Sequence, residues 1–219
     1  FPVSLNFDVD IFAPKHRGTE GAAEATEFLS RVKAPEYDGL VISPIDGKNV
    51  ENEVRRISGE HIPVCFLQSV IPGIPYVSII GTDNKECGRN AARSAIKLMG
   101  GEGEAAIALW TDTKMDAIED RASGFIEEMS RSRDITLHKF GVKSAPSTEN
   151  TAQVMDSLLK SHPDLKLIFT TNIDWGEELA KYLKSHPGLD LKLVTVDFTK
   201  EITDLVRGGQ ISAAIAQRP

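Results

Sequence analysis

Several short apolar runs of this sequence end directly at polar or aromatic residues. These residues are Ser43, Gln68, Trp110, Asn172, Asp197 and Gln217. Asn, Gln and Asp present hydrogen-bond donors and acceptors in fixed geometry, and a Trp ring presents an apolar face. A small molecule that carries many hydroxyl groups needs both kinds of contact. These positions therefore predict a binding site for such a ligand, provided that the fold brings the ends of the runs together.

Both tryptophans belong to this neighbourhood of the sequence. Trp110 ends an apolar run, where its ring either contacts a ligand or fills the core. Trp175 follows Asn172 closely, at the start of a predicted helix, and we expect it to contact the ligand. The C–H faces of a sugar stack on such a ring, while its hydroxyls pair with amides and carboxylates.

The apolar runs predict β-strands, because they are short, rich in β-branched and aromatic residues, and bounded by Pro, Gly or Asp. They cover residues 7–13, 39–43, 63–68, 76–80, 104–110, 135–140, 166–171, 192–196 and 211–216. Apolar residues at helical spacing predict helices at 19–32, around 50–57, and at 84–99, 116–130, 150–161, 174–185 and 200–207. In open sheets built this way, ligands bind outside the carboxyl ends of the strands. The alternation predicts an α/β fold of doubly wound parallel sheets with helices on both faces.

The number of strands favours two sheets over a single wide one. The seam is predicted at residues 81–84, where a strand ends and a helix rich in small residues begins. Near the start, Asn6 is predicted to cap the end of a helix that precedes the 7–13 strand. At the other end, the 211–216 strand has no covering helix. The chain is therefore expected to lack elements at both ends.

The phrase Lys-Ser-His-Pro ends two successive predicted helices, at His162 and at His186. Proline stops each helix, and a histidine near a helix C-terminus interacts favourably with the helix dipole. That role is the expectation for both histidines, ahead of any role as a ligand.

Composition and motifs argue against several function classes. The 32 acidic and 25 basic side chains give a net charge of −7, and no basic patch suited to nucleic acid is visible. No run has the roughly 18–20 apolar residues of a membrane span. Cys65 and Cys87 are too few for a disulfide framework or a zinc site, and the five histidines are scattered. Glycine-rich 100–103 precedes a strand instead of linking a strand to a helix, so no phosphate loop is predicted. We predict no catalytic residue, no metal and no cofactor.

Several phrases in order resemble the type I periplasmic binding proteins. They are residues 38–44 and 62–64, residues 81–84 followed by Gly88, Arg121 with Gly124 and Phe125, then Asn172, Val196-Asp197 and residues 209–217. The pattern is most similar to the ribose-binding-protein branch, which shares its fold with the effector domains of LacI-type regulators. The resemblance covers nearly the whole chain, and no single phrase carries it.

The resemblance implies two doubly wound lobes joined by a hinge, with a ligand clamped between them. Residues 1–82 would form an incomplete N-terminal lobe, 83–217 the C-terminal lobe, and 218–219 the start of a return to the first lobe. It also implies an opening βα element before Phe1 and a closing one after Pro219. The resemblance implies that the lobes close around the ligand without catalysis, and that a membrane permease or a signalling partner recognises the closed conformation.

The ligand positions of the family carry over unevenly. Asn172, Asp197 and Gln217 keep the residue types that the resemblance assigns to hydrogen bonds with ligand hydroxyls. Gln68, followed by Ser69, stands where the ribose branch has an Asp-Arg pair. An aromatic residue of the family is replaced by Pro146.

Glu119 stands where the resemblance expects an arginine that grips the sugar. A ligand that pairs with arginine in relatives would fit this position badly, because a buried acceptor without a partner costs about 1–3 kcal/mol. Plain ribose is therefore not the expected ligand. A polyol, a modified sugar or a ligand with an amine facing Glu119 would suit the changed charge. The alternative is that Glu119 belongs to a solvated helix face.

The leading hypothesis is a solute-binding protein for uptake by an ABC transporter, or a sensor domain, located in the periplasm or outside the cell. The second hypothesis is the ligand-binding effector domain of a LacI-type regulator, which would work in the cytoplasm. The two unpaired cysteines suit the cytoplasm slightly better. A small α/β enzyme is the third hypothesis.

Overall fold

The computed structural model describes residues 8–16, 18–44, 47–112 and 115–217 of the chain. The backbone divides into two compact units, Phe1–Gly81 (unit 1) and Thr82–Pro219 (unit 2). Within the described ranges, no helix combines the length and the apolar character that crossing a membrane requires.

In its described residues, unit 1 is a small parallel sheet with two helices. Its elements are α1 (Gly18–Leu29), β1 (Leu40–Ile42), α2 (Gly47–Gly59), β2 (Val64–Leu67) and β3 (Ser78–Ile80). The strands pair in the order β1-β2-β3, and all are parallel. Val54, Ile57 and Phe66 are fully buried at the centre of its core. The α/β pattern predicted from the sequence is confirmed here.

The predicted strand at residues 7–13 is wrong for the part that the structure describes. Residues 8–13 form no strand, and the side chains of Val9 and Ile11 are exposed. A strand exists only where a neighbour accepts its backbone hydrogen bonds, and local β-propensity does not supply that neighbour. Phe12 stacks on Phe28 of α1 instead, with 4.5 Å between ring centroids. Phe7 and the helix cap predicted at Asn6 lie outside the described residues.

Unit 2 is a larger parallel sheet with helices on both faces. Its elements are α3 (Asn84–Met99), β4 (Gly103–Trp110), α4 (Asp116–Met129), β5 (Ile135–Val142), α5 (Thr148–Ser161), β6 (Leu165–Phe169), α6 (Ile173–Ser185), β7 (Lys192–Val196), α7 (Lys200–Arg207) and β8 (Ala213–Ile215). The strand order is β5-β4-β6-β7-β8, and every neighbouring pair is parallel. β5 therefore lies on one side of β4, and β6, β7 and β8 follow on the other side. The strand order reverses between β4 and β6.

Side chains cap three helices of unit 2. Asp83, Ser147 and Thr199 each accept a hydrogen bond from a backbone N–H in the first turn of the following helix. Gly100 ends α3 in the left-handed conformation, with φ of 74°, and its N–H bonds to the last turn. Such caps satisfy backbone groups that a helix end would otherwise leave unpaired. They fix where each helix meets the sheet.

Two apolar clusters fill unit 2. One cluster includes Phe125 and Phe169, whose rings stack at 4.2 Å, and it covers the face of α3 and α4. The other includes Trp175 and Leu179 and covers the face of α5 and α6. Burial on both faces explains why the central strands carry near-continuous apolar runs instead of alternating patterns.

Candidate functional site

The strand order of unit 2 indicates where a ligand would bind. A doubly wound sheet has a crevice where the strand order reverses, outside the carboxyl ends of the strands. That reversal lies between β4 and β6. The residues that follow β6, β7 and β8 at the same edge are Asn172, Asp197 and Gln217, which the sequence singled out.

Asn172 is a buried side chain at the N-terminus of α6. Only 6% of its surface is exposed, and its Oδ1 has no hydrogen-bond partner among the described residues. Its Nδ2 donates to Asp174 Oδ2 at 3.2 Å, and the side chain does not cap its own helix. A buried acceptor without a partner costs about 1–3 kcal/mol. Asn172 therefore has one acceptor available for a ligand hydroxyl.

A pair of buried threonines holds the backbone at Asn172. Thr170 Oγ1 donates to Thr195 Oγ1 at 2.9 Å, and Thr195 Oγ1 lies 3.1 Å from the carbonyl oxygen of Asn172. Gly176 allows this arrangement, because a Cβ at that position would lie 2.4 Å from Thr195 Oγ1. The hydroxyl contacts tie the ends of β6 and β7 to the start of α6.

Asp197 and Gln217 form a pair at the ends of β7 and β8. The Gln217 amide nitrogen donates to Asp197 Oδ1, and the Asp197 N–H donates to the carbonyl oxygen of Ile215 at 3.0 Å. Asp197 has a φ of 86°, in the left-handed region that few non-glycine residues adopt. Such a conformation costs on the order of 1 kcal/mol and is found often at binding sites. Both side chains are half-buried.

Arg121 is a buried cation that lies behind this edge of the sheet. It is 5% exposed, and its Nε donates to Asn84 Oδ1 at 2.9 Å. One terminal nitrogen donates to the carbonyl oxygen of Thr171 at 2.9 Å. In the sequence, Arg121 was recognised only as part of a phrase that resembles the family. Its position three and four residues before Gly124 and Phe125, which face the core, was the signal that its side chain points inward.

The carboxyl ends of β4 and β5 are joined by Asp112 and Ser144. The N–H of Ser144 donates to Asp112 Oδ1 at 2.8 Å, and its hydroxyl to Oδ2 at 3.1 Å. Desolvation acts to raise the pKa of the Asp112 carboxyl. The hydrogen bonds from Ser144 and from the Asp112 backbone, together with the charge of Lys143, outweigh it and hold the pKa below its usual value. Trp110 is half-buried and packs against the cluster that contains Trp175. Its two predicted roles, core filling and ligand contact, both stay open.

Trp175 does not join the candidate site. None of its side-chain surface is exposed, and its indole N–H donates to the carbonyl oxygen of Lys143 at 2.7 Å. Its ring packs in the core beneath α6 and has no free face for a sugar to stack on. The predicted ligand contact is therefore corrected to a core role. The helical spacing to Leu179, four residues later, fits that role.

Two further predicted ligand contacts are Glu119 in α4 of unit 2 and Gln68 in unit 1. Glu119 is exposed in the first turn of α4, and its carboxylate has no hydrogen bond or ion pair among the described residues. Gln68 belongs to unit 1, where it follows β2 with a φ of 69° and donates its N–H to the carbonyl oxygen of Ile80. Both stay predictions as ligand contacts.

Doubly wound sheets bind small molecules at this edge, and comparison with known proteins identifies the family of this chain. The sequence profile of the periplasmic binding protein domain matches residues 7–219, so the chain belongs to that family. The resemblance stated from the sequence is thereby confirmed.

Individual relatives agree with this assignment. The chain is 29% identical over 184 residues to the ribose import binding protein RbsB of Salmonella typhimurium, covering 82% of this chain and 60% of that protein. A sugar-binding protein of a sugar ABC transporter from Bacillus halodurans matches with a TM-score of 0.80 and 26% identity, over 90% of this chain and 67% of that one. The chain thus spans about three fifths of the length of the curated relative.

A regulator also shares the fold. A chain from Bacteroides fragilis, assigned to the LacI transcriptional regulators, matches with a TM-score of 0.72 and 18% identity, over 86% of this chain and 65% of that one. At this identity the likeness shows the fold alone. The relatives with higher identity are binding proteins of import systems.

Proposed function

We propose that the protein binds a carbohydrate-like solute at the carboxyl edge of β6, β7 and β8, and delivers it to an ABC permease without transforming it. The names of the relatives support this, since they describe import and sugar binding. Delivery to a permease implies a location in the periplasm or outside the cell. Closure of two lobes on the ligand is the expectation from the family.

The observation that carries the proposal is the Oδ1 of buried Asn172, which has no partner among the described residues, at the same sheet edge as the Asp197–Gln217 pair. Together these side chains supply a neutral acceptor, a carboxylate and an amide. A hydroxyl both donates and accepts, so a polyol can satisfy all three groups at once. A ligand without hydroxyls would leave the acceptor of Asn172 without a partner.

The choice among sugars depends on charge. The only charged side chain of the Asn172–Asp197–Gln217 group is the carboxylate of Asp197, and Glu119 adds a second carboxylate if it contacts the ligand. Two carboxylates repel an acidic sugar, and they favour a neutral polyol or a sugar that carries an amine. We therefore expect sugar acids to bind worst among monosaccharides and their derivatives.

Titration calorimetry with pentoses, hexoses, polyols, amino sugars and sugar acids tests the proposal. Once a ligand is found, Asp197→Asn should weaken its binding about tenfold or more, because a hydrogen bond to a charged group contributes about 1.5–3 kcal/mol. Asparagine tolerates the left-handed backbone of this position, so the fold should be kept. Asn172→Leu should weaken binding to a similar degree.

Asp190→Asn is the matched control, because Asp190 is exposed just before the opposite end of β7. It removes the same charge near the amino end of β7, away from the carboxyl edge, and should leave the affinity unchanged. Equal affinity of the Asp197→Asn variant and the parent protein would show that the ligand does not bind at Asp197, and would contradict the proposed site. Chemical change of the bound sugar, followed by NMR over hours, would revive the enzyme hypothesis.

A further inference from the structure

Three potential metal ligands meet in unit 2, away from the candidate sugar site. They are Glu104 near the amino end of β4, His138 on β5, and His162 directly after α5. The candidate sugar site lies at the carboxyl edge of the same sheet. No local pattern in the sequence indicates the group, since its members are separated by 34 and 24 residues.

The ligand atoms of the three side chains are close to one another. Glu104 Oε2 lies 2.8 Å from His138 Nε2 and 3.8 Å from His162 Nδ1. The two imidazole rings stack with centroids 3.7 Å apart. One candidate ligand atom from each of the three residues lies within 4.8 Å of the other two.

The fold holds each of these residues in place. The parallel register pairs Ala106 with His138 and Glu104 with Thr136, so Glu104 and His138 are diagonal neighbours on one face of the sheet. The backbone of His162 is fixed on both sides: its N–H donates to the carbonyl oxygen of Leu158, and its carbonyl oxygen accepts from the N–H of Leu165. Three separate elements therefore present the three side chains.

The group is accessible to solvent. The side chains of His138, Glu104 and His162 are 22%, 33% and 30% exposed. A groove between β5 and α5, lined by Lys139, Ser157, Ser161 and His162 among others, opens beside it. An ion could reach the three ligand atoms without unfolding any element.

We propose that Glu104, His138 and His162 form a binding site for a divalent transition metal ion of the Zn²⁺ class. Two imidazole nitrogens and one carboxylate are a ligand set that Zn²⁺ accepts at about 2.0–2.2 Å, with a fourth position left for water or another ligand. In tetrahedral geometry such ligand atoms lie about 3.3 Å apart. The observed 2.8 and 3.8 Å differ from that spacing by about 0.5 Å each, and the ligand nitrogens of the two histidines lie within 4.8 Å of each other. Rotation of the side chains about their χ angles would bring the three atoms to the metal.

The competing explanation is an ion pair between Glu104 and a protonated histidine. That explanation accounts for the 2.8 Å contact with His138, and the stacked position of His162 would then be packing. Metal binding requires all three residues, whereas the ion pair requires two. The experiment therefore compares His162 with the residue that shares its sequence context.

His186 is the matched control for His162. Both follow a helix that ends in Lys-Ser and both precede Pro. His186 stacks on Tyr182 and contacts Ser185, and it belongs to no group of potential metal ligands among the described residues. His186→Ala therefore removes an imidazole from the same local setting without touching the proposed site.

Calorimetric titration of the chelator-treated protein with Zn²⁺ should show one ion bound per chain. Glu104→Gln, His138→Ala and His162→Ala should each weaken binding at least about tenfold, because even residues that only orient zinc ligands change affinity 10–100-fold. His186→Ala should bind as the parent protein does. Circular dichroism and the melting temperature in EDTA verify that each variant is folded.

Absorption spectra with Co²⁺ in place of Zn²⁺ give a second readout, since the visible bands report on nitrogen and oxygen ligands directly. No saturable Zn²⁺ binding would overturn the proposal. So would a folded His162→Ala variant that binds Zn²⁺ as the parent protein does, which would leave an ion pair only. Sugar binding by the same variants should be unchanged, so this result is independent of the proposed function.

Discussion

At the level of single residues, two buried polar side chains of unit 2, Asn172 and Arg121, have unusual hydrogen bonding. Within the part of the chain that the structure describes, Asn172 keeps an acceptor without a partner, and Arg121 keeps a buried guanidinium bonded to two neutral oxygens. Burying a charge without an ion pair is costly, so such a residue persists where its hydrogen bonds hold something in place. Arg121 binds the carbonyl of Thr171, the residue before Asn172. We infer that it positions the start of α6 and with it the Asn172 side chain.

Replacing Arg121 should therefore cost stability. Arg121→Met keeps much of the side-chain volume but leaves Asn84 Oδ1 and the Thr171 carbonyl without donors. Methionine also avoids the desolvation cost of burying a charge, which offsets part of the lost hydrogen bonding. We therefore expect the free energy of unfolding to fall by about 1–3 kcal/mol. Arg121→Lys should lose less, since one of the two hydrogen bonds can be kept. Urea unfolding followed by circular dichroism measures both.

The control for Arg121 is Arg93, an exposed arginine between the same two helices. It pairs with Glu86 on α3 and with Glu128 on α4. Exposed ion pairs contribute about 0–1 kcal/mol, so Arg93→Met should stay within that range. A loss for Arg121→Met no larger than that for Arg93→Met would mean that the buried bonds do not hold α6.

At the level of elements, α3 and α4 pack with their backbones in contact. A Cβ at Gly88 would lie 2.0 Å from the carbonyl oxygen of Arg121, and a Cβ at Gly124 would lie 2.0 Å from that of Lys85. Backbone atoms cannot rotate away as a side chain can. The two glycines thus allow the close approach of the helices, and this approach brings Arg121 within reach of Asn84.

Gly88→Ala and Gly124→Ala should each lower the free energy of unfolding by about 3 kcal/mol or more, because the helices must move apart. Gly188→Ala is the matched control in the same unit. No atom lies within 4 Å of a Cβ at Gly188, and its φ is ordinary, so the change should stay within about 0.5 kcal/mol. Thermal unfolding of the three variants measures the difference. Similar values for all three would show that the helices separate at little cost.

Local patterns in the sequence predicted most elements of the fold, because caps, prolines and apolar spacing act within a few residues. The bounds of α3, β7 and α7 match the predicted ones. The 7–13 strand failed because pairing depends on a neighbour far away in the chain. The predicted ligand contact of Trp175 was wrong for a related reason. The sequence places Trp175 at the start of α6 but does not show whether its ring faces the sheet or the solvent. The cluster of Glu104 with His138 and His162 depends on strand register, which no local pattern encodes.

At the level of the whole molecule, the two units differ in how completely their sheets are covered. In unit 2 the central strands are buried on both faces, and Ala106 and Ile107 of β4 have no exposed surface. In unit 1 all three residues of β3 are exposed, with Ile79 at 44% and Ile80 at 51%. A short parallel sheet with one uncovered edge strand buries less apolar area per residue and gains less stability from it.

Unit 1 should therefore open more often than unit 2 in this chain. Local stability follows the burial of apolar contacts, so backbone amides of β2 should exchange with solvent deuterium at least about tenfold faster than those of β4. Hydrogen-exchange mass spectrometry under native conditions measures both strands in a single sample. Gly88→Ala destabilises unit 2 alone. It should speed exchange in β4 and leave the exchange rate of β2 unchanged, so the difference between the two rates should become smaller. Equal exchange in the two strands of the parent protein would show that the units unfold together, and the uncovered strand would then carry no stability penalty.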